Sequence, residues 1–123
     1  MVLTADGVDE GRTRVAVTVQ GTIVGFITTL VDENSVVELE DLFVDPAWMR
    51  QGIATRLVAD LVEHSRSTTI QRIRVTANPH AYDFYRSVGF TRIRDVKTAF
   101  GTGSRMELTV EPKGSHTQLT QGI

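Results

Sequence analysis

The stretch DPAWMRQGIATRLVADLV, residues 45–62, decides how the middle of this chain folds. An apolar run ends just before it, the chain turns through a proline, and a different periodicity begins at Gly52. Two apolar rows then recur at every fourth residue: Ile53, Leu57 and Leu61, and beside them Ala54, Val58 and Val62. This spacing predicts an amphipathic helix of about 13 residues that opens where a strand has ended.

The glycine at the start of this helix suggests an anion site. A helix N-terminus exposes unpaired N–H groups with partial positive charge, and glycine lets an anion approach the main chain closely. Arg50 and Arg56 flank the same turn. The stretch is neither a P-loop nor a dinucleotide fingerprint, because it lacks Gly-Lys-[Ser/Thr] and has a single glycine. A helix that merely starts near a glycine is an equally good reading of this stretch alone.

The composition of the 123-residue chain is that of one globular domain, with 41% hydrophobic and 23% charged residues. A net charge of −2 argues against a nucleic-acid partner, and the absence of cysteine excludes disulfides and a cysteine nucleophile. The three histidines lack metal-ligand spacing, so no metal is predicted. No signal or membrane-spanning pattern occurs, which predicts a cytoplasmic protein without a membrane partner. We expect the domain to cover residues 1–111, with a flexible tail over residues 112–123.

The order of predicted elements is βββ-α-β-α-ββ. Alternating residues predict strands over 14–20, 23–31 and 36–44, which form an antiparallel meander. The helix from Gly52 follows, then a strand over 70–77 and a second helix, which Asn78 caps, Pro79 opens and Gly89 closes. Residues 90–98 and 105–110 predict a closing hairpin around FGTGS. The central strand-helix-strand unit predicts a parallel crossover, and therefore an α/β (α+β) fold with a mixed, mostly antiparallel sheet.

Two segments at the right separation carry a family resemblance. The first reads Leu42-Phe43-Val44-Asp45-Pro46 and then Met49-Arg50-Gln51-Gly52-Ile53-Ala54. The second has the pattern Asn-x-x-Ala-x-x-Phe-Tyr-x-x-x-Gly-Phe at Asn78, Ala81, Phe84, Tyr85, Gly89 and Phe90. Together they resemble the GNAT superfamily of acyl-CoA-dependent N-acetyltransferases, and the run LEDLFV is similar to that of polyamine-type members. Met49 stands where the family usually has Arg or Gln. The strand and two helices that usually precede the meander are not predicted here.

The resemblance implies acetyl-CoA as co-substrate and direct transfer of its acetyl group to an amine. It implies that main chain near the end of the third strand pairs with the pantetheine arm, that amides of residues 51–55 hold the pyrophosphate, and that Asn78 reaches the arm near its thiol end. Capping alone would also explain Asn78. The expected cofactor-binding residues are Leu42, Phe43, Val44, Met49, Arg50, Gln51, Gly52, Ile53, Ala54, Thr55, Asn78 and Tyr85.

Three residues are candidates for the chemistry. By resemblance Tyr85 protonates the departing thiolate, since a phenol of pKa about 10 keeps its proton at neutral pH. A core tyrosine beside Phe84 is the alternative. The amine must lose a proton to a carboxylate, and the resemblance favours Glu40, with Glu38 second, on one face of the strand by its period of two. Solvent-facing strand charges explain either glutamate equally well.

The placement of charge predicts the partners. Residues 32–45 contain six acids and no base, whereas residues 50–74 contain five arginines against two acids. One side therefore suits a cationic acceptor, a small molecule or a peptide, and the other suits an anionic cofactor. A CoA-binding or regulatory module that has lost catalysis is the alternative. Because few residues precede the meander, apolar strand faces over 15–19 and 23–30 should be uncovered on one side, which predicts a homodimer.

Overall fold

A computed structural model describes residues 2–4 and 13–113 of the chain. Seven strands form one sheet: β1 (Val2–Thr4), β2 (Thr13–Val17), β3 (Ile23–Val31), β4 (Val36–Val44), β5 (Arg72–Ala77), β6 (Thr91–Thr98) and β7 (Gly101–Thr109). The helices are α1 (Ile53–Ser65) and α2 (Tyr82–Ser87), and a 3-10 turn (Pro46–Trp48) follows β4. The strand order is β1-β2-β3-β4-β5-β7-β6, and every neighbouring pair is antiparallel except β4 and β5. The predicted fold class, the order of elements from β2 to β7 and the parallel crossover are confirmed.

One hydrophobic core lies between the sheet and both described helices. α1 turns the predicted apolar rows inward, and Leu57 and Val58 are almost completely buried. They pack with inward residues of the strands such as Ile27 and Ile73, and Tyr85 of α2 joins the same cluster. Each large apolar side chain buried in this way stabilises the fold by about 1.5–3 kcal/mol. The period of the sequence therefore set which face of α1 is buried.

Several element boundaries differ from the prediction. β2 ends at Val17 rather than residue 20, because Thr18 and Gly21 already close a hydrogen-bonded turn. A short strand, Val2–Thr4, precedes the meander, although no strand was expected there. Three residues are too few for a period of two to be visible, and the strand forms by pairing with β2. Lys113 is the last described residue, so the expected tail lies mostly outside the described residues.

The closing hairpin is tighter than predicted. Thr98 pairs with Gly101, so the loop is only Ala99 and Phe100, and most of the segment FGTGS lies in β7. A Cβ on Gly103 would stand 2.9 Å from the carbonyl oxygen of Ala77. The glycine therefore permits β7 to approach β5 closely, which its composition alone did not distinguish from a loop.

The sheet opens in the middle. β4 and β5 pair only at Val36 with Arg72, Val37 with Ile73, and Glu38 with Arg74. We call the Glu38–Arg74 pair the vertex. Beyond it β4 pairs only with β3, and β5 only with β7. Glu40 is an extra residue of β4, because Thr28 pairs with Asp41 and the next residue of β3 pairs with Leu39. This bulge bends β4 away from β5 and interrupts the period of two that placed Glu38 and Glu40 on one face.

Candidate active site

The far half of β4 offers a free main-chain edge. After the vertex no described residue of β5 pairs with β4, so the edge of Leu42–Val44 that faces β5 keeps its peptide groups for another partner. Leu42 and Val44 turn their side chains into the cleft described below, whereas the ring of Phe43 stacks on Phe26 at 5.5 Å on the opposite face. An extended ligand could add to this edge like a strand.

The turn between β4 and α1 has an unusual backbone. Asp45 begins it as a cap, with Oδ1 accepting from the N–H of Ala47 at 2.9 Å. Arg50 (φ 66°) and Gly52 (φ 79°) both adopt left-handed conformations. Successive amides in such turns often converge on one point and form a concavity for anions.

The first turn of α1 has no internal cap. Gly52 supplies the cap position without a side chain, and its carbonyl accepts the first helical bond from Arg56 N–H at 3.0 Å. The amides of Ile53, Ala54 and Thr55 therefore have no partner within the helix. Free amides and the helix dipole favour a negatively charged group here.

A cleft of about 760 Å³ joins the free strand edge to the helix N-terminus. It is lined by Leu42, Val44, Trp48, Met49, Arg50, Gly52, Ile53, Ala54, Thr55, His80 and Phe84. Eight of the expected cofactor-binding residues are in this lining, and the exceptions are Phe43, Gln51, Asn78 and Tyr85. The exposed side chain of Met49 provides apolar surface where the family usually has a polar group.

Sequence reasoning missed three residues of the cleft wall and one glycine beneath it. Trp48, His80 and Phe84 line the cleft, although none of them was among the expected cofactor-binding residues. Gly25 lies under the start of α1, where a Cβ would stand 2.9 Å from the carbonyl oxygen of Phe43 and 3.3 Å from Ile53. The glycine in IVGF was the only available signal, since glycine in a strand often marks a close approach.

Asn78 acts as a cap, as predicted, but of a turn rather than of the helix itself. Its Oδ1 accepts from the N–H of Ala81 at 2.9 Å. α2 begins only at Tyr82, so Pro79 lies in the preceding turn instead of opening the helix. Asn78 is exposed, and its side-chain N–H₂ group makes no hydrogen bond within the described chain.

Tyr85 lies in the core. Its ring meets Phe84 at 5.1 Å and Phe90 at 5.3 Å, both edge-on, and only 6% of the residue is exposed. Burial raises the pKa of Tyr85 from 10.0 to about 12. The phenol therefore stays protonated at neutral pH, but it is a weaker acid than an ordinary tyrosine. Phe84, not Tyr85, is the cleft-lining residue of α2.

The two candidate bases differ in their partners. Glu38 is held by Arg105, whose Nη2 and Nη1 lie 2.6 and 2.7 Å from its two carboxylate oxygens. Glu40 is exposed at the bulge and makes no hydrogen bond or ion pair with any described residue. Beside it, Asp41 accepts a hydrogen bond from Thr28 Oγ1 at 2.7 Å. The bulge thus presents an unengaged carboxylate two residues beyond the vertex.

Neither a metal centre nor a membrane span is found in the described residues. No three His, Asp or Glu residues among them converge as metal ligands. Neither described helix is long and apolar enough to cross a membrane.

Comparison with known proteins identifies the relatives of this arrangement. The profile of the family described as "Acetyltransferase (GNAT) domain" matches residues 3–109. N-alpha-acetyltransferase RimI of Mycobacterium tuberculosis is 38% identical over 56 residues, which are 46% of this chain and 35% of that protein. The match therefore spans about a third of the relative's length.

Solved structures share the fold. An aminoglycoside 6'-N-acetyltransferase complexed with coenzyme A superposes with a TM-score of 0.74 at 21% identity, covering 84% of this chain and 74% of that one. Ard1 from Thermoplasma volcanium gives 0.74 at 21% identity, covering 81% and 71%.

Proposed function

Because this chain belongs to the GNAT acetyltransferase family, we propose that it transfers an acetyl group from acetyl-CoA directly to an amine. The observation that carries the proposal is one cleft that contains both an unpaired strand edge and an uncapped helix N-terminus. An extended arm with a diphosphate at one end has complementary groups for both. A generic phosphate site would need only the helix.

The residues of the cleft fit acetyl-CoA by their chemistry. We assign the pyrophosphate to the amides of residues 51–55, with Arg50 nearby, and the pantetheine arm to the main chain of Leu42–Val44. The amide of Asn78 would reach the arm from the opposite wall. The coenzyme A bound to the aminoglycoside acetyltransferase of the same fold supports this choice of co-substrate.

We assign the acceptor to the acidic end of β4. Glu40 is our proposed base, because its oxygens are unengaged by the described chain while those of Glu38 are occupied. Glu40 and Asp41 together favour an acceptor that arrives as a cation. One relative is named an N-alpha-acetyltransferase and another an aminoglycoside 6'-N-acetyltransferase, which supports an amine of a peptide or small molecule as the acceptor.

The proposed reaction balances without a covalent enzyme intermediate. Acetyl-CoA supplies the activated thioester; the amine nitrogen forms the new C–N bond as the C–S bond breaks. Glu40 takes the proton that converts the cationic acceptor to the free amine, directly or through water. The second proton, which the nitrogen loses as the amide forms, ends on the departing sulfur. Tyr85 is our proposed donor to the departing sulfur. Because the pKa of Tyr85 is about 12 and that of a thiol is about 8.5, its main contribution would be a hydrogen bond that stabilises the thiolate.

We further propose that the functional unit is a homodimer in the cytoplasm, with a catalytic domain over residues 1–111. Both described helices pack on one face of the sheet, and on the other face Phe26 and Phe43 stack together, with Phe43 49% exposed. A second copy related by a two-fold axis would cover this apolar face. In light scattering over micromolar concentrations, a mass that stays at 13.6 kDa would contradict the dimer.

The test of the enzyme is thiol release from acetyl-CoA over a panel of peptide, polyamine and aminoglycoside amines. Release above background for one amine supports the proposal, whereas CoA binding without release for every class would favour a module that has lost catalysis. Glu40→Gln should lower the rate at neutral pH and recover partly at high pH, where the amine is already free. Glu33→Gln, an exposed glutamate in the turn before β4, is the matched control and should leave the rate unchanged.

A further inference from the structure

Arg105 of β7 reaches across β5 to the vertex. Both terminal guanidinium nitrogens contact Glu38, at 2.6 and 2.7 Å, and Nη1 also donates to Thr76 Oγ1 of β5 at 3.1 Å. In the sheet register Arg105 pairs with Thr76, and Glu38 pairs with Arg74. The side chain thus lies diagonally over β5 and connects β4 to β7.

The location of this fork matters because Glu38 is the last residue of β4 that pairs with β5. Immediately beyond it the strands separate, and the bulge at Glu40 follows. A bidentate Arg–carboxylate pair restricts both partners in orientation more than a single contact does. The hydrogen bond to Glu38 is also the main cause that raises the pKa of Arg105, so its charge is retained throughout any working range of pH.

The other charges around the vertex do not substitute for Arg105. On β5, Arg74 and Arg72 are directed to Glu107 of β7, at 2.8 and 3.8 Å. No other described cation forms an ion pair with Glu38. The charged groups that surround Glu38 and Glu40 are therefore Arg72, Arg74, Arg105, Glu107 and Asp41.

We propose that Arg105 is a positioning residue for acetyl transfer: it occupies both oxygens of Glu38, and so leaves Glu40 as the one carboxylate that receives the acceptor's proton. The inference rests on the proposed function. It gives the two neighbouring carboxylates different roles: Glu38 pairs with Arg105, and Glu40 accepts the proton. Arg105 touches neither substrate. It neutralises Glu38, whose charge would otherwise repel the charge on Glu40.

The kinetic test compares wild type, Arg105→Gln and the double variant Glu38→Gln/Arg105→Gln. Loss of Arg105 alone leaves two like charges two residues apart, so the acid limb of the kcat/KM profile should move to higher pH by roughly half a unit. At a fixed pH on that limb, kcat/KM of Arg105→Gln should be roughly threefold lower than that of the wild type. The double variant removes both charges and should restore the wild-type limb. Arg105→Lys, which keeps one charge and one contact, should lie between wild type and Arg105→Gln.

If Arg105 only stabilised the fold, Arg105→Gln would lower the melting temperature without moving the acid limb of the kcat/KM profile. The double variant would then not restore the melting temperature. An unmoved limb in both Arg105→Gln and Arg105→Lys overturns the proposal. So does an inactive but folded double variant, because Glu38 would then be needed as the base itself. If Arg105→Gln does not fold, Arg105→Lys decides alone.

A second readout separates this inference from the proposed activity. Carboxyl resonances of Glu40, followed by NMR against pH, report the same change of midpoint without any substrate. A shifted midpoint with no thiol release from wild type would overturn the acetyltransferase proposal, while the electrostatic coupling would stand. An unshifted midpoint in an active enzyme would overturn the role of Arg105.

Discussion

The turns that lead into the two helices bordering the cleft differ in their hydrogen bonds. In the turn before α2, the side chain of Asn78 accepts a hydrogen bond from the N–H of Ala81 at 2.9 Å, so this amide already has a partner within the chain. At α1, Gly52 has no side chain that could accept a hydrogen bond, so the first-turn amides are available to a ligand in the cleft. Both segments come from motifs of similar length, and both flank one concave site.

The difference indicates how each helix contributes. Neither helix has a side-chain hydrogen bond at its own N-cap, Gly52 or Ala81. In the first turn of α2 it is the side chain of Phe84 that lines the cleft, so we expect α2 to act there through side chains. α1 is stabilised by its 13-residue length and apolar face, and can leave its N-terminus uncapped at a cost of about 1 kcal/mol. Four predictions follow this contrast between main-chain binding at α1 and side-chain action at α2.

The largest effect is expected for Tyr85→Phe, which tests side-chain action at α2. If the hydroxyl stabilises the departing thiolate, kcat should fall by about 100-fold while CoA affinity changes little. Tyr82→Phe in the same helix is the matched control. A kcat within a few-fold of wild type would make Tyr85 a packing residue, and α2 a purely structural helix.

The same hydroxyl predicts a loss of stability at alkaline pH. The pKa of Tyr85 is about 12 when folded and 10.0 as the reference, so the unfolded chain loses its proton first. The free energy of unfolding is therefore unaffected by this group below pH 10. It falls by about 2 kcal/mol as the pH rises towards 12. Denaturant titrations should show this loss in wild type and a smaller one in Tyr85→Phe. Parallel curves for the two proteins would contradict the burial of the phenol.

The third prediction tests main-chain binding at α1. Gly52→Val places a branched side chain where the anion must approach, and CoA affinity should fall at least tenfold, about 1.4 kcal/mol. Gly21→Val is a close control, because Gly21 also has positive φ (89° against 79°) and open space around it, but lies in the β2–β3 turn. Calorimetry should show similar destabilisation in both and weaker CoA binding only in Gly52→Val. Equal CoA affinity for the two folded variants would remove the anion site.

The smallest effect separates the two roles of Asn78. Asn78→Ala removes the hydrogen bond to the N–H of Ala81 and should destabilise the protein by about 1 kcal/mol, whereas Asn78→Ser keeps an accepting oxygen and most of that stability. If the side-chain N–H₂ reaches the cofactor, both variants should bind CoA several-fold more weakly. Wild-type affinity in Asn78→Ser would leave Asn78 as a cap alone.

Local sequence patterns were sufficient to predict the bounds of several strands and helices. The bounds that were predicted wrongly share one cause. The spans of β3, β4 and α1 agree with the sequence because each contains a long period and a clear end signal. The starts of α2 and β7 do not agree, because Pro79 and Gly101–Ser104 suit more than one backbone conformation. At such residues the choice depends on neighbouring strands, as the contact between Gly103 and β5 shows.

The sequence by itself determined the start of α1 at Gly52 and a capping hydrogen bond at Asn78, because each depends on residues within one or two turns of each other. It also determined the fold class, because the order of strand and helix periods is written along the chain. Only the tertiary structure decided that β4 bulges at Glu40, that Arg105 engages Glu38, and that Tyr85 is buried with a raised pKa. Each of these depends on residues that are distant in sequence, such as Glu38 and Arg105, which are 67 positions apart. A pairing of that kind leaves no local period, and desolvation depends on every chain segment that covers the group.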